Sequence, residues 1–323
     1  MEYNKLKGDR IMPQVYDVII IGSGPAGLAA AIYAGRAKMN ALLIEKESVG
    51  GQITSTAEVE NYPGCLEEES GVTLTARMSD QATKFGVSRV YDTVLTVDLN
   101  KDIKEVSCFG DDYYGKTVII ATGSDKNKLN VPGEENLIGA GVSYCATCDA
   151  SFFEGLPVYV VGGGDAAVEE AMYLAKFASH VHILQNLPEL TCANSIKEKA
   201  FANPRLDYTY NTIITELKGT DHLEAIITKN TATGEIKELK PEDGSMFGLF
   251  IFIGLHPNTE VFAEQLPLER GYIRTDEEMQ TSIPGVYAAG DVRIKSLRQV
   301  VTATADGAIA AVNAQKYIES KNL

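Results

Sequence analysis

The 323-residue chain has no tryptophan, five cysteines and eleven prolines. Five cysteines are too few for a disulfide-stapled scaffold and fit a reducing cytoplasm. Positive charge is scarce as well: 29 Lys and Arg stand against 44 Asp and Glu, a formal net charge of −15. That balance argues against general nucleic-acid binding, which needs a basic footprint. Long apolar runs are missing too. The N-terminus, MEYNKLKGDR, is charged and lacks the apolar stretch of a signal peptide. The longest nearly uncharged run, residues 15–35, is broken by Asp17, four glycines and Pro25, which argues against a membrane span.

What is present is an ordinary globular composition, 45% apolar and 23% charged, in a chain long enough for two domains. The 29 glycines suggest loops where backbone approaches something closely. The main organising feature is a repeat. Residues 16–46 read YDVIIIGSGPAGLAAAIYAGRAKMNALLIEK; shifted by 140, residues 156–186 read LPVYVVGGGDAAVEEAMYLAKFASHVHILQN. Each has a short β-branched strand, a glycine turn, an Ala-rich helix and a second apolar strand, which makes a βαβ unit. Strands apolar on both faces belong in a parallel sheet covered by helices. The fold class expected is therefore α/β, with two Rossmann-like dinucleotide-binding domains, the second inserted into the first. The boundaries expected are 1–125 and 256–323 for the outer domain and 126–255 for the insert, with crossings near 124–128 and 254–258. A helix is expected over 72–85, one strand over 206–214, and a last helix over 299–319.

The first glycine turn is Gly22-x-Gly24-x-x-Gly27, after a strand and opening a helix. Its glycines permit a tight turn and bring a pyrophosphate close to the helix N-terminus. Glu45, 23 residues after Gly22, ends the second strand, where a carboxylate can accept from a ribose diol. The second turn is Gly162-x-Gly164-x-x-Ala167. The same count ends on neutral Gln185, followed by Asn186, Leu187, Pro188, Glu189, Leu190 and Thr191. The strand end carries no acid for a ribose hydroxyl and no arginine for a 2′-phosphate. Two readings stay open: weak NAD binding through neutral amides, or a nucleotide fold that binds no pyridine nucleotide.

Cys145-Ala146-Thr147-Cys148-Asp149 contains a close cysteine pair. It supplies two ligands where structural zinc needs four, and Cys65, Cys108 and Cys192 have no paired spacing, so no metal is expected. Two inert buried thiols are one reading. A redox dithiol is favoured, because the spacing lets one thiolate reach its partner. Asp149 could carry a proton during exchange or cap a helix.

The chain resembles the low-molecular-weight flavin-dependent thioredoxin reductases over nearly its whole length. The resemblance rests on GSGPAG at 22–27, GGQITSTAEVENYPG at 50–64, ATGS at 121–124, CATCD at 145–149, GGGDAAVEEA at 162–171, TSIPGVYAAGDV at 281–292 and Arg298-Gln299. It implies a cytoplasmic homodimer with one FAD per subunit. Gly22, Ser23, Gly24 and Glu45 would hold the adenosine diphosphate half, with Pro25, Ala26, Gly27 and Lys46 in the same motif. Gly51, Gln52, Asn61, Thr122, Asp291 and Gln299 would line the ribityl chain and flavin, with Ala121, Gly123, Gly290, Arg298 and Val300 beside them. Cys148 matches the cysteine nearest the flavin, Cys145 the one that attacks thioredoxin, and Asp149 the general acid.

Two departures stand out. NADPH-using members carry His-Arg-Arg and a further Arg where this chain has Gln185, Asn186, Leu187 and Thr191. Ala150 replaces the usual glycine after CATCD. The pattern looks like the ferredoxin-dependent subgroup and is also similar to flavin dithiol oxidases that use oxygen. An NADH- or NADPH-dependent reductase is the further alternative, since the second turn is intact. Ferredoxin as donor would need a basic patch on an acidic chain, and residues 293–298, Arg-Ile-Lys-Ser-Leu-Arg, are the first candidate, with Lys126 and Lys128 the second.

Overall fold

The computed structural model describes residues 14–56, 58–241 and 244–322; the charged segment MEYNKLKGDR lies outside them. The described residues fall into two compact units. The first holds those of Met1–Thr54, Ser70–Ser124 and Pro257–Leu323, the second those of Ser55–Glu69 and Asp125–His256.

In the first unit the strand Val15–Ile21 lies between Ala41–Glu45 and Asp112–Ile120, parallel to both. Ser88–Tyr91 extends the sheet beyond Ala41–Glu45. The nine-residue strand Asp112–Ile120 serves two neighbours. Its first half pairs antiparallel with Lys104–Cys108, and its second half pairs parallel with Val286–Ala288. Ile19, Ile21, Leu42, Ile44, Val118, Ile120 and Val286 form the centre of one core. The Ala-rich helix Pro25–Arg36 is buried along most of its length and packs on the helices Gly71–Lys84 and Val300–Lys321. Small side chains permit that approach: a Cβ on Gly307 would lie 2.0 Å from Ala26 O. Gly71–Lys84, close to the expected span, starts in a capping box in which Ser70 Oγ accepts from Thr73 N at 3.1 Å and Thr73 Oγ1 accepts from Ser70 N at 3.0 Å.

The second unit has a parallel sheet in the order Leu206–Thr209, His180–Leu184, Pro157–Val161, Gly248–Ile251, Val142–Ser143. The helix Asp165–Leu174 connects Pro157–Val161 to His180–Leu184, so the repeated βαβ pattern is present twice. A three-stranded antiparallel sheet, Thr212–Lys218, Ala225–Asn230 and Ile236–Leu239, shares a second core with it, through Leu184, Ile214, Leu217, Ile226 and Leu249. The single strand expected over 206–214 is two. Asn211 takes φ +51°, a left-handed turn that asparagine tolerates, and the chain changes sheets there. Residues 55–69 group with the second unit rather than the first. Within them Val59 N donates to Glu69 O at 2.7 Å, and Ser151 Oγ, from that unit, reaches Glu60 Oε2 at 3.3 Å. At the two crossings the strands Ser124–Lys126 and Leu255–Pro257 pair with each other.

Candidate active site

In the first unit Gly22 follows the strand Val15–Ile21 with φ +101°, a conformation that strains any L side chain; a Cβ there would also lie 2.4 Å from Ala121 O. A Cβ on Gly27 would lie 1.8 Å from Gly22 O, so glycine lets the helix press onto the turn. Gly24 is different. A Cβ there would meet nothing nearer than Gly50 O at 3.9 Å, so the space before it is open. Gly51 backs onto Gly24, and Gly290 backs onto Ala26. Gly22, Gly24, Gly51, Ala121 and Gly290 thus surround the amino end of one twelve-residue helix. Pro25 stands in its first turn, and its cap residue, Gly24, offers no side-chain acceptor. Open backbone, a helix amino end and the Glu45 carboxylate on the adjoining strand fit a dinucleotide pyrophosphate and ribose.

Glu45 is buried, and its Oε2 accepts from Ser23 N at 2.8 Å and Ser23 Oγ at 2.7 Å, while Oε1 accepts from Glu47 N at 3.1 Å. The acid therefore also fixes the turn. Lys46 is exposed and pairs with Glu47. Gln52 Nε2 donates to Ser124 O. Thr122 Oγ1 donates to Asn258 O at 2.7 Å, and Asn258 Nδ2 returns a bond to Thr122 O at 3.0 Å. Asn258 and the Gly123 turn are joined further by Asn258 N donating to Gly123 O at 3.1 Å. Asn258 was not among the site residues expected from sequence; its place at the end of the second crossing was its one signal.

Asp291 follows Gly290 in a short turn, and Gln299 with Thr302 caps the helix that Val300 begins. Arg298 lies over the Tyr272 ring, 4.3 Å from its centroid, and among the described residues its buried Nε has no hydrogen-bond partner. Asn61 belongs to the second unit. The basic patch expected at 293–298 is corrected by the structure. Gly290 N, Arg293 Nη1 and Lys295 Nζ all donate to Asp306 Oδ2, at 3.0, 3.3 and 2.7 Å. The Arg293 and Lys295 side chains are 13% and 7% exposed, so they are internal partners of a buried carboxylate and not a surface patch. Of the second candidates, Lys128 pairs with Glu135 at 2.9 Å, and Lys126 lies over the Tyr144 ring.

In the second unit Cys145 and Cys148 are joined by a disulfide, with their Cα atoms 5.3 Å apart, on the short helix Ala146–Asp149. Both are half-buried, and Thr147 between them is exposed. Ser143 organises the site. Its Oγ accepts from Cys145 N at 3.0 Å and donates to Asp149 Oδ2. A serine at the strand end two residues before the pair was the available signal, and sequence reasoning passed over it. Burial holds the Asp149 carboxyl above its ordinary range, against the opposing pull of Ser143 and Lys126. Its side chain makes no cap bond to the turn that follows, so the capping reading is not realised. Ala150 has φ −58° and is buried, a conformation open to any residue, so the departure from glycine costs nothing in the backbone. Burial raises the Cys108 thiol to about 12 and also raises Cys192, which makes both poor nucleophiles.

The second glycine turn makes its bonds within itself. Gly162 has φ +127° and repeats the geometry of Gly22. Gln185 is buried against Gly163, where a Cβ would lie 2.3 Å from its Nε2. Gln185 Nε2 donates to Glu189 O at 3.2 Å, and its Oε1 accepts from Asn186 N at 3.1 Å. Thr191 N and Cys192 N donate to Gly163 O, and Asp165 Oδ1 accepts from Ala193 N at 2.7 Å. Lys197, the next cation along the chain, pairs with Glu189 at 3.4 Å.

Residues 16–307 match the family model described as pyridine nucleotide-disulphide oxidoreductase. The chain is 54% identical over 312 residues to a thioredoxin reductase of Peptoclostridium acidaminophilum, covering 96% of this chain and 99% of that one. The chain belongs to the thioredoxin reductase family of pyridine nucleotide-disulphide oxidoreductases. A solved thioredoxin reductase from Streptococcus pyogenes MGAS5005 matches with a TM-score of 0.90 at 40% identity, covering 96% of this chain and all of that one. A solved ferredoxin-flavin thioredoxin reductase from Clostridium acetobutylicum matches at 27% identity with a TM-score of 0.52, covering 96% of this chain and all of that one. Members of the thioredoxin reductase family bind FAD, and the α/β fold with Rossmann-like units is the family's own. The chain is an oxidoreductase acting on sulfur groups, with Cys145–Cys148 as its redox disulfide. Among the described residues no helix is long and apolar enough to cross a membrane.

Proposed function

We propose that the chain carries electrons from a ferredoxin-class protein, through FAD held in the first unit, to the Cys145–Cys148 pair and on to thioredoxin. FAD bound at the first glycine turn supplies a store of two electrons that can be given to a disulfide as a pair. Gly22, Ser23, Gly24 and Glu45 are the residues proposed to hold its adenosine diphosphate half, and Gly51, Gln52, Thr122, Asp291 and Gln299 its flavin half. The second unit, the insert, carries the dithiol.

The protein's own chemistry then balances. Two electrons and one proton open the Cys145–Cys148 disulfide to a Cys145 thiolate and a Cys148 thiol. The Cys145 thiolate attacks the thioredoxin disulfide, forming a mixed disulfide and releasing one thioredoxin thiolate. Asp149, whose carboxyl burial raises above its ordinary value, would give its proton to that thiolate and recover one from the Cys148 thiol. The Cys148 thiolate so formed attacks Cys145 Sγ in the mixed disulfide, restoring the internal disulfide and releasing the second thioredoxin thiolate, which takes a proton from solvent to complete reduced thioredoxin. A homodimer in a reducing cytoplasm is proposed with this reading.

One observation carries the donor assignment: the strand end at 185–191 has no cation for a 2′-phosphate, and Gln185, Thr191 and Asp165 are bonded within the turn. Each charge-assisted phosphate contact is worth roughly 1.5–3 kcal/mol, so their absence weakens NADPH binding by orders of magnitude. The intact Gly162 turn and the family's pyridine-nucleotide members favour the second reading, an NADH- or NADPH-dependent reductase. Anaerobic mixing with reduced ferredoxin, NADPH and NADH in turn, following the flavin absorbance, decides between them. Bleaching by ferredoxin and not by micromolar NADPH is expected. Rapid bleaching by micromolar NADPH or NADH overturns the donor assignment. Turnover with a dithiol and oxygen but none with thioredoxin overturns the reductase reading.

A further inference from the structure

Sequence reasoning looked for metal ligands around the cysteines; a different cluster is assembled by the second unit's sheet. We propose that His180, His182 and Asp207 form a binding site for a divalent transition metal of the zinc class. His180 and His182 are two apart on the strand His180–Leu184 and so project from one face. Asp207, on the parallel neighbour Leu206–Thr209, is the register partner of His182 and joins them on that face. One ligand atom from each of the three residues lies within 4.8 Å of the others. His180 Nε2 is already 2.8 Å from Asp207 Oδ2.

A tetrahedral zinc ion with bonds of ~2.0–2.1 Å needs its ligand atoms about 3.4 Å apart, so small side-chain rotations close the site. Two imidazoles and one carboxylate select zinc, nickel, cobalt or copper over magnesium or calcium, which take oxygen ligands. Both histidines are half-buried and Asp207 is exposed, which leaves an entry path and a fourth position for water. The site has supporting partners. Thr209 Oγ1 lies 2.6 Å from His182 Nε2, and the Tyr159 ring packs 5.7 Å from the His182 ring. Both restrict the imidazole's orientation, as second partners do around bound metals. An ion here ties two neighbouring strands together and requires neither Cys145 nor Cys148.

The test is a zinc titration of the FAD-loaded enzyme, with Cys145–Cys148 kept as the disulfide, against a chromogenic chelator. One Zn2+ per chain with micromolar affinity is expected, with a rise in melting temperature as zinc saturates. His180→Gln and His182→Gln should each weaken binding about tenfold or more. Asp207→Asn, at an exposed position, should weaken it without disturbing the fold, as checked by circular dichroism and the flavin spectrum. A Cys145→Ser, Cys148→Ser double variant should bind as the parent does. The site is refuted by the absence of saturable binding up to millimolar zinc, by affinity unchanged in both histidine variants, or by affinity lost in the cysteine variant.

Discussion

Asp149 keeps its proton above the ordinary carboxylate value of 3.8 because its carboxyl is buried, and Ser143 and Lys126 oppose that without reversing it. The folded state therefore binds this proton more tightly than the unfolded chain. The associated stability is fully present below the unfolded value and is lost as pH rises through the raised one. On the proposed mechanism the same proton serves exchange, so its contribution to thioredoxin reduction should fall with pH over that window. Asp149→Asn should remove that limb of the pH–rate profile and slow turnover about 10²–10⁴-fold, with the disulfide still formed. A variant that retains the limb would assign it to another group. On the proposed mechanism the cysteines divide by role. With a single-cysteine thioredoxin whose remaining sulfur is first capped as a mixed disulfide with a good leaving thiolate, Cys148→Ser should displace that thiolate and accumulate a mixed disulfide through Cys145, whereas Cys145→Ser should not; the reverse pattern on a non-reducing gel would exchange the two roles.

At the scale of elements, two backbone junctions position the cofactor end of the first unit. Gly22→Ala adds a methyl 2.4 Å from Ala121 O at φ +101°, and neither the turn nor the adjoining strand can yield without losing the register of Val15–Ile21. The variant should purify with little or no yellow chromophore, measured as flavin released per chain. The Gly290 turn is held to the helix Val300–Lys321 by Asp306, which accepts from Gly290 N, Arg293 and Lys295. Asp306→Asn leaves two buried cations without their carboxylate, a loss of about 3–5 kcal/mol. Thermal unfolding should show that loss, and a melting temperature equal to the parent's would mean that the two cations find another partner. The repeat itself shows how one element pattern can serve different ends. Both glycine turns have the same backbone, and Gly24 and its counterpart Gly164 both face open space; they differ at the strand end, where the first turn has the Glu45 carboxylate and the second the neutral Gln185 amide packed on Gly163.

For the whole molecule, charge sets the approach of a protein donor. The net charge is −15, and Arg293 and Lys295 are turned inward, so a negatively charged donor meets a repulsive long-range field. Raising ionic strength should therefore speed flavin reduction by such a donor at low salt, since screening shortens the range of that repulsion. Stopped-flow rates that fall steeply with salt would point instead to a local basic dock elsewhere. FAD also contributes to stability by mass action: at a hundredfold excess over its dissociation constant, ligation adds about 2.7 kcal/mol. The melting temperature should rise with added FAD, and a value indifferent to FAD would place the cofactor outside the cooperative unit.

Much of this was legible in the chain alone, because strand, glycine turn, helix and second strand are local patterns. The βαβ repeat, the helix ending at Lys84, the last helix from Val300 and the cysteine pair all follow from periodicity and spacing of neighbouring residues. Local pattern failed where a residue's partner is remote in sequence. Nothing in Arg-Ile-Lys-Ser-Leu-Arg says that its first two cations face Asp306 across a helix turn. The left-handed Asn211 that splits one expected strand into two depends on a second sheet to receive the chain. Ser143 became part of the dithiol site only through the fold of a strand onto a short helix. His180 and His182 meet Asp207, 25 residues further on than His182, because strand register aligns them. The sequence set which segments are strands and helices and where backbone must turn; tertiary structure alone decided which buried charges pair, since pairing depends on distances that no local rule contains.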